Sequence, residues 1–407
     1  MSAGLRVEGV SATALARRYG TPLYVYSAGE TRRRYEALRR AFRRRDPLIC
    51  YAMKANSNRA VCAVLAKAGA GADIVSGGEL ARALRAGFDP RKTVFSGVGK
   101  TEEEMAAGLR AGLLTFNVES AEELDALARV AGRLKRPAPI SIRLNPDVSA
   151  RTHPHITTGT AENKFGVEAA EAFALYRRAA KDKRLQVVGV QCHIGSQITD
   201  LVPYRLAAAS IAKTVKRLQD GGIRLSQIDV GGGIGITYKN ETPIALTALA
   251  RVLEETFSPW PEARLLLEPG RYLSADAGVL LTRVLYRKRT SRRRFVIVDA
   301  AMTDLPRPAL YDAWHPVEAV KPRKGRKEKM DVVGPVCESG DFLARERPLP
   351  PLERGDLLAI GKAGAYGFAM SSQYNSRPRA AEVLVDGARA TLARRRETLK
   401  DLTAAEL

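Results

Sequence analysis

Four places in this sequence pair a reactive group with residues that could frame it. Lys54 closes the apolar run "ICYAMK" (49–54), His193 lies in "QCHIGSQ", three glycines (Gly231–Gly233) open "GGGIGI", and Glu268 begins "EPGR". A lysine amine can attack a carbonyl carbon. Consecutive glycines let backbone N–H groups close on an anion. A buried carboxylate can hold a cation. Each has a plainer reading: a solvated strand-end lysine, a structural imidazole, a turn, and a Glu268–Arg271 ion pair. The elements that carry these residues decide between the two.

From residue 48 onward, short β-rich runs alternate with helical patterns. The predicted strands are 49–54, 71–76, 93–97, 114–118, 139–144, 187–194, 228–232 and 264–270. Segments such as "RAVCAVLAKAG" and "SAEELDALARVAGRL" place apolar residues at helical spacing between them. Eight strands alternating with helices over roughly 225 residues predict a (β/α)8 barrel, with an open doubly wound sheet as the competing arrangement. After Arg271 the texture becomes strands and turns, which predicts a mostly-β C-terminal domain. The domain reading is a barrel over 26–272 and a β domain built from 1–25 plus 273–407. The basic stretch 320–330 reads as an exposed hairpin or loop.

In a closed barrel, catalytic groups collect at the C-terminal ends of the strands, and phosphate binds after the last two. Lys54, His193, the glycine run and Glu268 end the first, sixth, seventh and eighth strands, so all four fall on one rim. A lysine beside a phosphate cradle suits a phosphorylated aldehyde held as a Schiff base, and pyridoxal 5′-phosphate is such a compound. Glu268 would then keep the pyridine nitrogen protonated, which favours decarboxylation over racemisation.

Composition narrows the field. The chain has 407 residues and a net charge of +22, from 66 basic and 44 acidic side chains. The basic clusters are scattered, and no nucleic-acid-binding motif accompanies them. No run approaches a membrane span, and the N-terminus lacks the layout of a secretory signal. Cys50, Cys62, Cys192 and Cys337 have neither disulfide nor metal spacing, which fits reduced thiols in a cytoplasm. The expectation is no nucleic acid, no membrane and no metal.

The motifs "YAMKAN", "SGGEL", "FNVES", "HITTG" with "NKFG", "CHIGSQI", "GGGIGI", "EPGR", "RPALY", "CESGD" and "GAY" occur in that order. Together they resemble the diaminopimelate decarboxylases, in the alanine-racemase/ornithine-decarboxylase group of pyridoxal-phosphate enzymes. The resemblance runs from about residue 20 to about residue 384. It implies that Lys54 anchors the cofactor, that His193 lies against its ring, and that Glu268 pairs with the ring nitrogen. Ser196, Gly232, Gly233, Pro269, Gly270, Arg271 and Tyr366 would surround the phosphate, with Asp73 and Arg143 as supporting groups.

The same resemblance assigns Arg271, Arg307, Tyr311, Glu338 and Tyr366 to the substrate. It makes Cys337 the proton donor, and it implies a C-terminal domain of Greek-key barrel type and a homodimer with shared sites. The reaction implied is decarboxylation of meso-2,6-diaminopimelate to L-lysine, the last step of lysine biosynthesis. Two alternatives stay open: a decarboxylase of ornithine, lysine or arginine, and a catalytically silent regulatory relative.

Overall fold

The computed structural model describes residues 4–146 and 163–407, and the motif "HITTG" (155–159) lies outside them. The chain divides into two compact units. One is Arg34–Thr237 with Glu241–Tyr272; the other is the chain up to Arg33, Tyr238–Asn240 and Leu273–Leu407.

The first unit is a closed barrel of eight parallel strands. They are β1 (Leu48–Ala52), β2 (Gly71–Ile74), β3 (Thr93–Phe95), β4 (Thr115–Val118), β5 (Ala138–Leu144), β6 (Leu185–Cys192), β7 (Gln227–Asp229) and β8 (Arg264–Leu267). Leu266 and Leu267 of β8 pair with Leu48 and Ile49 of β1, which closes the ring and excludes the open sheet. Strands covered on both faces read as continuous apolar runs, and Ile49, Tyr51, Phe95 and Phe116 are fully buried. Phe95 and Phe116 stack across β3 and β4 with centroids 5.9 Å apart.

All eight strands lie on predicted runs, but several runs overreach. β1 stops at Ala52, and Lys54 occupies a 3₁₀ turn, Met53–Ala55. The polar residues that follow bend the chain: Tyr51 Oη donates to the Asn56 carbonyl at 3.0 Å, and Asn56 Oδ1 accepts from Asn58 N at 3.0 Å. β6, β7 and β8 likewise stop at Cys192, Asp229 and Leu267, just before His193, the glycine run and Glu268. Pattern reading extends a strand into such residues because they are themselves buried or small.

The turns after β1, β2, β3 and β4 lead directly into helices. Asn58, Ser76, Thr101 and Ser120 cap those helices by accepting a backbone N–H of the first turn. The same short loops therefore fix both the helix start and the rim.

The second unit is a nine-stranded sheet around the twelve-residue strand Gly278–Arg289. That strand pairs antiparallel with Leu23–Ser27, Arg294–Val298 and Leu357–Ile360. Leu15, Leu23, Val25, Leu281, Val320, Val383 and Val385 share one core cluster. The stretch 320–330 corrects the expectation in part. Lys321–Lys327 is exposed, but Val320 is buried and Glu328–Val333 is a strand of the sheet. Two apolar residues outweigh the charges at the ends of that segment.

A Cβ on Gly71 would stand 2.1 Å from the Lys92 carbonyl oxygen, whereas one on Gly78 would come no closer than 3.7 Å to the Ser76 hydroxyl. Gly71→Ala is expected to destabilise the protein by ~1–3 kcal/mol through overpacking. Gly78→Ala, in a helix, should be neutral or stabilising by up to ~1 kcal/mol. Urea midpoints at unchanged slope measure both.

Candidate active site

Three carboxylates meet where the barrel strands end. Asp73, Asp229 and Glu268 are 0%, 2% and 4% exposed. Strand register assembles this floor: Asp73 pairs with Ala52, while Arg143, Gln191 and Asp229 align across β5, β6 and β7. Lys54 Nζ donates to Asp73 Oδ2 at 2.7 Å. Neutral donors hold Glu268: Gln191 Nε2 at 2.9 Å on Oε2, with Asn117 Nδ2 at 3.3 Å and Ser96 Oγ at 3.5 Å on Oε1. Burial, then the charges of Asp229 and Asp73, push Glu268 well above the ordinary carboxylate range. Burial raises Asp229 as well.

The acids outnumber the lysine that faces them, and Asp73 Oδ1 is buried without a hydrogen-bond donor among the described residues. Such a floor favours a cationic occupant. A protonated pyridine ring is one, so the donor set fits pyridoxal phosphate.

The glycine run is locked against the same floor. Gly231 and Gly233 have left-handed backbone, with φ of 68° and 94°. A Cβ on Gly232 would lie 2.0 Å from the Glu268 carbonyl oxygen, and one on Gly233 2.5 Å from the Gly195 oxygen. Glu268 N donates to the Gly231 carbonyl at 2.8 Å, and Gly231 N donates to Asp229 Oδ1 at 2.9 Å. Gly270 is close-packed but less severely, its Cβ position 3.1 Å from the Cβ atoms of Ala52 and Ala55. Here glycine is demanded by the turn and by packing, whatever anion it also serves.

Gly232 N donates to His193 Nδ1 at 3.1 Å, so Nδ1 is an acceptor and the ring proton belongs on Nε2. Burial, followed by the charges of Arg143 and Lys54, holds the His193 pKa well below 6.5. Ser196 Oγ accepts from Arg271 Nη2 at 2.9 Å and Nε at 3.3 Å. Arg143 is buried against Glu119 at 3.0 Å, and Glu119 also accepts from Gly97 N and Gly166 N. Arg143 thus braces the loops after β3, β4 and β5.

Sequence reasoning missed Asp229, Gln191, Asn117, Ser96 and Glu119. The available signal was a polar residue near the end of an otherwise apolar strand, as in "IDVGG", "VQCH" and "FNVES".

The remaining predicted residues belong to the second unit. Arg307 is 6% exposed, begins the helix Arg307–Tyr311, and stands over the Tyr238 ring at 4.7 Å. Its Nη1 lies 2.8 Å from His315 Nε2, and His315 Nδ1 is 2.9 Å from the Gly361 carbonyl. That makes the buried His315 a neutral ring that donates from Nδ1. Tyr311 is half-buried, and Tyr366 has left-handed backbone with φ 56°. Cys337 is exposed, unlike the other three cysteines, and Glu338 is exposed beside it. Cys337 N donates to Asn375 Oδ1 at 3.0 Å.

Residues 28–275 match the family of pyridoxal-dependent decarboxylases, through the model of their pyridoxal binding domain. Over 404 residues the chain is 52% identical to diaminopimelate decarboxylase of Pseudomonas aeruginosa, covering 99% of this chain and 97% of that one. The chain belongs to the diaminopimelate decarboxylase family. The same enzyme of Vibrio cholerae is 49% identical over 402 residues, covering 99% and 96%. The crystal structure of diaminopimelate decarboxylase from Helicobacter pylori complexed with L-lysine matches with a TM-score of 0.94 at 44% identity, covering 97% of this chain and 98% of that one. The resemblance read from the motifs is therefore correct, and so is the barrel-plus-β architecture.

With its pKa depressed, His193 is expected to stay neutral and Nε2-protonated across pH 6–8. Nitrogen-15 NMR of the cofactor-free protein checks this; an imidazole that titrates in that range and vanishes in His193→Gln would contradict it.

Proposed function

We propose that this chain decarboxylates meso-2,6-diaminopimelate to L-lysine and carbon dioxide, with pyridoxal 5′-phosphate held at the barrel rim. The reading is carried by Lys54, fixed by Asp73 at 2.7 Å above a floor of buried acids. Relatives named diaminopimelate decarboxylase over nearly the whole chain support the same substrate.

When bound, the cofactor supplies an aldehyde that condenses with amines and a ring that accepts the electron pair left by departing carbon dioxide. Lys54 Nζ is the amine that would hold it, and Asp73 aims that amine. Glu268 would meet the ring nitrogen and His193 the ring face. Gly232, Gly233, Ser196 and the backbone of Pro269, Gly270 and Arg271 would bind the phosphate, together with Tyr366. Arg307, Tyr311 and Arg271 would take the distal carboxylate of the substrate, for which a guanidinium fork is well shaped. Glu338 would meet the distal ammonium.

Cys337 Sγ–H would give its proton to the carbon that loses carbon dioxide. A proton donor for a carbanion needs shelter from water, yet Cys337 is exposed in the single chain. This favours a two-fold homodimer in which Cys337 serves the partner's cofactor. We also assign the protein to the cytoplasm, where four thiols stay reduced. Among the described residues no helix is long and apolar enough to cross a membrane.

Purified protein with cofactor should release carbon dioxide from meso-diaminopimelate in preference to lysine, ornithine or arginine. Preference for one of the other three would replace the substrate, and no release from any would favour a silent relative. Lys54→Ala should abolish release. Cys337→Ala should lower turnover while keeping cofactor bound, and mixing it with Lys54→Ala subunits should restore part of the activity; hybrids without recovery would argue against a shared site. Arg307→Ala should weaken substrate binding by ~2–5 kcal/mol with little change for cofactor.

A further inference from the structure

Asp229 links the two ends of the proposed cofactor site. Its Oδ1 accepts the Gly231 N–H at 2.9 Å in the glycine turn. Its Oδ2 is fully buried and has no hydrogen-bond donor among the described residues. Lys54 acts on both Asp229 and Glu268 but is shared with a third acid, Asp73, at 2.7 Å. Arg143 is taken by Glu119 at 3.0 Å. Cys50 on β1 and Cys192 on β6, next to the pair, are held as thiols by burial, Cys192 with its pKa pushed up to about 12. His193 is neutral. Three buried carboxylates that face one lysine cannot all ionise, and Asp229 and Glu268 are the two whose donors among the described residues are all uncharged.

We propose that Asp229 and Glu268 together store one proton in the cofactor-free protein and surrender it when the ring nitrogen binds. If the nitrogen arrives as a free base, the proton moves from the carboxyl oxygen to the nitrogen. If it arrives protonated, the carboxyl proton leaves for solvent. In both cases the pair ends fully ionised against a ring cation. Asp229 is then a positioning residue that acts through Glu268. This rests on the reading of Glu268 as the partner of the ring nitrogen.

The probe is pyridoxine 5′-phosphate, which has the ring nitrogen and phosphate but no aldehyde to react with Lys54. Titration calorimetry in buffers of different ionisation enthalpy counts the protons exchanged. In Asp229→Asn, Oδ1 can keep Gly231 while Nδ2 donates to an ionised Glu268, so no proton is stored. At any given pH the wild type should release about one proton more than the variant. Equal counts would overturn the proposal. Infrared difference spectra of the wild type alone give a second reading: a carboxylic-acid carbonyl band should disappear on binding, and its absence from the cofactor-free protein would also overturn the proposal, even if the variant does not fold. Failure of the probe to bind the wild type would instead overturn the cofactor reading beneath it.

Discussion

The buried negative charge beneath Lys54 is the constraint around which this barrel is organised. Carboxylates removed from water strongly favour protonation or a positive neighbour. Asp73 obtains Lys54, and Glu119 obtains Arg143. Asp229 and Glu268 are served by two side-chain amides, a hydroxyl and a backbone N–H, none of them charged. A protein interior accepts that arrangement only if something else completes it. A family whose members bind pyridoxal is one in which a cationic ring can do so.

Parallel strands explain why the acids can be gathered there. Closing the ring brings residues separated by many tens of positions into one register, so that Asn117 and Gln191 both reach Glu268. The capped loops then hold each strand end at a fixed height. The rest of the barrel is densely apolar, which leaves the polar residues little room to move.

Much of this was legible in the sequence. The eight strand runs, the rim positions of Lys54, His193 and Glu268, and the mostly-β second unit all follow from hydrophobic pattern and the geometry of barrels. The ends of the strands did not, because Met53, Ile194 and Val230 are as apolar as the strands they follow, and a turn made by Asn56 side-chain bonds leaves no periodic trace. Asp229, Asn117 and Gln191 escaped notice for a different reason. Inside a strand pattern a single polar residue looks like an interruption, and its meaning appears only when a distant partner is brought to it. The glycine run was read as a phosphate cradle, whereas its packing against Glu268 and Gly195 would require glycine even without an anion.

That packing has an evolutionary side. With the Gly232 α-carbon pressed on the Glu268 carbonyl and the Gly231 oxygen holding the Glu268 amide, the two ends of the proposed cofactor site are tied together through the main chain. Drift at either end would disturb both. A lineage altering its choice of vitamer would therefore have to remodel the walls contributed by other strands, leaving this hinge-free clasp as the least adaptable part of the enzyme.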